Sequence, residues 1–125
     1  MGGANFVTLG MVPDAANDGV QAAPINAAIT GTATLIAAVA GKRIFVHGMF
    51  LTLSLGAPIT LTFQDVSGSS TVNLTGPMTL GAGVPLDLPW QNYPWLACAV
   101  GDSLQAALPS GSVAQLSGRI LYAQG

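Results

Sequence analysis

From Thr32 onward, Gly, Pro and Ser clusters break the chain about every ten residues into short segments rich in Thr, Val, Ile and Leu. That rhythm leaves no room for a helix longer than a turn or two and matches the strand spacing of an all-β sandwich. The segments place strands over 32–39, 43–55, 58–65, 70–75, 77–81, 95–100, 103–108 and 112–123. "GAP" at 56–58, "SGSS" at 67–70 and "LPSGS" at 108–112 read as turns, because Gly and Pro set dihedrals that strands do not use.

Alternation supports the assignment. In "PITLTFQD", Ile59, Leu61 and Phe63 share one face, with Thr60, Thr62 and Gln64 on the other. Ala114, Leu116, Gly118, Ile120 and Tyr122 alternate in the same way with Gln115, Ser117 and Arg119. In "GKRIFVHGMFLTLS" the phase slips between Val46 and Met49, so Gly48 marks a β-bulge with His47 beside it.

Residues 1–31 lack sustained alternation and are rich in Gly, Ala, Asn and Pro, so they read as an extended N-terminal arm ahead of a β-sandwich domain, residues 32–125. Within the arm, the Ala-rich stretch 21–29 is the one place for a short helix.

With 125 residues the chain is one domain with room for a real core. Only 6% of its residues are charged against 50% apolar, and the mean hydropathy is +0.58, so the usual charged coat is missing. The net charge of −2 and the lack of a basic stripe argue against nucleic acid as a partner. Apolar runs such as "LIAAVA" and "IFVHGMFL" fall far short of the ~20 residues that span a bilayer, so no membrane partner is expected. The N-terminus has neither the basic start nor the apolar core of a signal peptide. The single cysteine, Cys98 in "WLACAV", reads as a small buried hydrophobe.

Catalytic chemistry finds little support. There is no Glu, and Asp14, Asp18, Asp65, Asp87 and Asp102 are scattered, with no spacing that suggests a carboxylate pair. One His and one Cys give no metal-ligand pattern, "DAANDG" fails the third and twelfth positions of a calcium loop, and neither a nucleophile elbow nor a phosphate loop is present. No catalytic residue, metal or cofactor is assigned, and the lone His47 is read as a structural or interface residue. Trp90, Tyr93 and Trp95 in "LPWQNYPWL" are the densest aromatic cluster. Trp95, leading into "WLACAV", is expected to plug one end of the sandwich, and Trp90 and Tyr93 to face outward.

The run from "GTATLIAAVAGKRIFVHGMFLTLS" through "LTGPMTLGAGVPLDLPW" to "SGRILYA", about residues 31–123, resembles a group of small head decoration, or cement, proteins of tailed bacteriophages. The resemblance implies a jelly-roll-like antiparallel β-sandwich on the outer surface of the capsid, in the virion, with the major capsid protein and further copies of itself, in a homodimer or homotrimer, as partners. Interface candidates are then Phe6, Val7 and Leu9 in the arm, Lys42 and Arg43 at a strand start, His47, and Trp90 with Tyr93. The alternative is a carbohydrate- or receptor-binding jelly-roll module of a phage tail or fibre, with Trp90 and Tyr93 as its stacking platform.

Overall fold

The computed structural model describes residues 20–54, 59–81, 83–109 and 112–125. They form ten strands: β1 Gln21–Thr30, β2 Thr32–Ile36, β3 Ile44–Ser54, β4 Ile59–Ser67, β5 Ser70–Asn73, β6 Met78–Leu80, β7 Leu86–Leu88, β8 Leu96–Ala97, β9 Ser103–Ala107 and β10 Val113–Gln124. One sheet runs β1-β10-β3, with β7 and β8 both on the far edge of β3; the other runs β2-β9-β4, with β5 and β6 both on the far edge of β4. All the pairings are antiparallel.

The pairs are nested. β1 pairs with β10, β2 with β9, β3 with β7 and β8, and β4 with β5 and β6. A long hairpin rolled so that successive pairs fall in alternate sheets has this connectivity, which is the jelly roll. β5 with β6, and β7 with β8, are each one edge strand cut by an excursion of the chain, so ten strands fill eight places.

The core lies between the sheets. Ile29, Ile44, Leu51, Leu61, Leu104, Leu116 and Ile120 are fully buried, and Phe63 is the largest side chain among them. Burying each such side chain contributes about 1.5–3 kcal/mol. With Cys98 unpaired and buried, no disulfide supports this packing.

Two expectations change. Residues 21–30 are neither arm nor helix: they form β1, in register with β10 from Gln21↔Tyr122 to Thr30↔Val113. Its inward face is Ala23, Ile25, Ala27 and Ile29, a period-2 pattern that the alanines disguise; pairing along all of β10 outweighs their helix propensity. The sandwich therefore starts near residue 21, and residues 1–19 lie outside the described residues. β7 was also missed, being three residues set between prolines. The bulge is where the phase slip put it. Leu121 pairs with Gly48 and Tyr122 with Val46, so His47 is the extra residue on β3.

Candidate functional site

The bulge organises the most elaborate surface feature. β7 pairs with Met49–Leu51 and β8 with Phe45–Val46, which leaves His47 and Gly48 facing the excursion Pro89–Trp95. Gly48 eases the fit of the loop here, since a Cβ would lie close against it, 3.2 Å from the Leu88 carbonyl oxygen and 3.3 Å from the Trp90 nitrogen. The Gln91 N–H donates to the His47 carbonyl (3.0 Å), and His47 Nδ1 lies 3.0 Å from the Gln91 carbonyl oxygen. A carbonyl only accepts, so Nδ1 carries the proton in this contact. The His47 ring also lies against Trp90, with centroids 4.9 Å apart. The Trp95 N–H donates to the Val46 carbonyl (2.7 Å), and Trp95 Nε1 donates to the Pro89 carbonyl (2.9 Å), closing the loop on itself.

His47 and Trp90, singled out separately in the sequence, are thus one unit, and His47 acts as the peg that holds an aromatic loop. Tyr93 at the loop's tip is 82% exposed, as expected of a surface residue. Trp95 is not the expected plug: it is 38% exposed, nearly the same as Trp90 at 39%, because its indole N–H is spent on the loop's own backbone rather than turned into the core.

Lys42 and Arg43 immediately precede β3, a few residues before the bulge. Arg43 and Gly125 exchange backbone hydrogen bonds (2.9 and 3.0 Å), joining this corner to the end of β10. Arg43 Nε donates to the Cys98 carbonyl (2.9 Å), and its guanidinium lies 5.2 Å from the Phe45 ring centre. Lys42 is exposed and contributes its carbonyl to Gly101 N–H (2.8 Å). The corner is tied down by backbone contacts and adjoins β8, the strand into which the His47 loop runs. Phe6, Val7 and Leu9 lie outside the described residues.

Beside Arg43 the fold makes a contact that sequence reasoning missed. Asp65 near the end of β4 and Asp102 just before β9 are both buried, and the Asp102 side chain lies within hydrogen-bonding reach of Asp65. No spacing in the sequence announces this pair; it follows from the β4–β9 register, which sets Val66 against Ser103. Asp65 Oδ2 accepts the Ala99 N–H (2.8 Å), while Oδ1 is buried without a partner. Burial, and then Asp102, push the Asp65 carboxyl above its ordinary value of 3.8. Cys98 nearby is an inert thiol, its pKa pushed up to about 12 by burial and by the two aspartates.

The sign of the pH effect follows. The folded chain keeps a proton that the unfolded chain releases near 3.8, so this contribution to stability is complete below that pH and is lost as pH rises through the raised value. Asp65→Asn keeps an acceptor for Ala99 and supplies a permanent donor toward Asp102. It is expected to raise Tm at pH 7 by a few degrees and to remove part of the stabilisation that wild type gains between pH 7 and pH 4. Parallel pH–Tm curves for the two proteins would contradict the assignment.

The outer faces of the two sheets differ. On the β2-β9-β4 sheet a groove is lined by Thr60, Thr62, Gln64 and Asn73; Gln105 donates to Gln64 (2.6 Å) and Gln64 to Asn73 (2.9 Å), a neutral polar ladder. On the β1-β10-β3 sheet a groove runs between Phe50, Leu121 and Trp90, flanked by Arg119 and Asp87. Among the described residues no three His, Cys, Asp or Glu side chains gather as a metal site. Neither groove contains the Asp65–Asp102 pair.

No protein-family model matches the chain, and no curated protein matches it. Among solved structures, a chain in the structure of infectious bursal disease virus, strain Gx, shows a weak likeness of fold, with a TM-score of 0.42 and 14% identity. The likeness covers 86% of this chain and 30% of that one, so this chain spans less than a third of its neighbour's length.

Proposed function

We propose that this chain is a non-enzymatic structural protein of a bacteriophage head, a decoration or cement protein that binds the outer surface of the capsid and stabilises it. The observation that carries this reading is the character of its surface. Phe50, Val72, Val84, Val100 and Tyr93 are each more than half exposed on a rigid sandwich that has only three Lys and Arg in all. A surface this poor in charge and with this many exposed apolar side chains is suited to being covered by other subunits. The jelly-roll connectivity and the resemblance of residues 31–123 to phage decoration proteins support the same assignment.

The carbohydrate-binding alternative is weaker on geometry. One face of Trp90 lies against His47, and Trp90 and Trp95 are each less than half exposed, which leaves Tyr93 as the one ring of the loop that is mostly open. A sugar-stacking platform needs open ring faces.

Immunogold labelling of virions that encode this chain is expected to decorate the heads, and addition of the protein to undecorated capsids is expected to raise the temperature at which the shells break. Label confined to tails or fibres, or bare virions, would overturn the proposal. Deleting residues 1–19 spares all ten strands and is expected to lower capsid occupancy without changing Tm; a cut at residue 31 would not test this, because it removes β1.

A further inference from the structure

The outer face of the β1-β10-β3 sheet carries one charged row. Arg119 on β10 is in register with Phe50 on β3, and Phe50 with Asp87 on β7. All three side chains are exposed. The row therefore reads cation, aromatic ring, anion, with Phe50 midway and the two charges about 5 Å to either side at ordinary strand spacing. The adjacent row toward the C-terminal end of β10 holds Leu121 beside Ala22. In the opposite direction the rows are neutral and polar, with Ser117 between Asn26 and Thr52, then Gln115 between Ala28 and Ser54. Within these rows Arg119 and Asp87 are the two charged residues.

Such a row is complementary to itself. A two-fold axis lying in the contact plane, parallel to the strands and passing over Phe50, sets a second copy face to face with the first. It places each Arg119 opposite the other copy's Asp87, and each Phe50 opposite its equivalent. An axis along the row instead would set like charges against each other, so the charge order selects the first arrangement. The ~30° crossing usual for aligned sheets displaces charges 5 Å from the pivot by only ~2.5 Å, within the reach of an arginine. The aromatic groove beside the row supplies the desolvated centre, and Trp90 and Arg are residue types that dominate interface energetics.

We propose that two copies of this chain associate through this face, with Phe50 at the centre and reciprocal Arg119–Asp87 pairs across the two-fold. With the axis over Phe50, β3 lies on β3 and β10 on the three-residue β7, so the overlapping strands cover only ~250 Å² per copy, or ~500 Å² in all, which makes the contact a weak and transient one. The contact is transient in free solution and is populated further wherever copies are held close together. The proposal does not depend on the capsid reading, because a tail or fibre protein with this face would pair in the same way.

Sedimentation velocity of the full chain over a concentration series tests it. Wild type is expected to show reversible dimerisation. Arg119→Asp and Asp87→Arg, each placing like charges face to face, are expected to weaken it at least tenfold. The double exchange Arg119→Asp with Asp87→Arg is expected to return it to within about threefold of wild type. All three side chains lie outside the core, so unchanged Tm values accompany these results. A wild type that stays monomeric at every concentration, a dimer indifferent to the single reversals, or a double exchange no better than the singles would each overturn the proposal.

Discussion

Gly118→Ala is expected to leave the chain unfolded or insoluble at 37 °C, with a loss of about 4 kcal/mol or more against a stability of about 5–15 kcal/mol for a typical domain. Gly118 has φ +145°, a conformation that side-chain-bearing residues adopt only at a cost of about 1–3 kcal/mol. A Cβ at that position would overlap the Phe50 carbonyl oxygen and lie 2.8 Å from the Phe50 carbonyl carbon and 2.9 Å from Leu51 Cα. What it meets is backbone, which no rotamer change moves aside. β10 cannot shift away either, because β1 holds its other edge in register from Gln21↔Tyr122 to Thr30↔Val113. Overpacking then adds to the dihedral cost. Gly76→Ala is the control: nothing lies within 4 Å of the added methyl, and its Tm should stay near that of wild type. Urea unfolding of a soluble Gly118→Ala protein with a midpoint close to wild type would refute the close-approach argument.

Gly118 also shows where sequence legibility ends. It occupies an inward position in the alternation of Ala114, Leu116, Ile120 and Tyr122, and that alternation sufficed to place β10. Its reason for being glycine lies in β3, more than sixty residues earlier, and is set by register. The same division holds elsewhere. The bulge at His47 and Gly48 was visible because it breaks a periodic pattern within one segment. β1 stayed hidden because two of its four inward residues are alanine, which carries little strand signal and a strong helical one. In the candidate site, the stacking of His47 on Trp90 and the meeting of Asp65 with Asp102 join residues 43 and 37 positions apart. Only the strand pairings bring them together, so no local pattern could announce them. Exposure of Tyr93 was legible because a proline-bounded loop rich in polar residues has few other places for its tip.

Phe63→Ala is expected to cost about 3–5 kcal/mol, seen as a lower urea midpoint with an unchanged m-value. Phe63 is 1% exposed and stands across from Ala106 on β9, so its ring fills space that its partner leaves empty. Neighbours held in two sheets cannot collapse fully into the resulting void, and the cavity term adds to the lost transfer energy. The residue also marks the break between β5 and β6: its N–H donates to Thr75 Oγ1 (3.1 Å) and its carbonyl accepts the Leu74 N–H (2.8 Å), so the excursion at 74–77 is anchored on its backbone. Those bonds survive the substitution, which isolates the packing contribution. Phe63→Leu, which keeps most of the volume, should cost no more than about 1.5 kcal/mol. It should also leave dimerisation through Phe50 and occupancy on capsids at wild-type levels, because Phe63 points between the sheets and Phe50 away from them. A folded Phe63→Leu protein that no longer paired would mean that the outer face of one sheet depends on packing beneath the other.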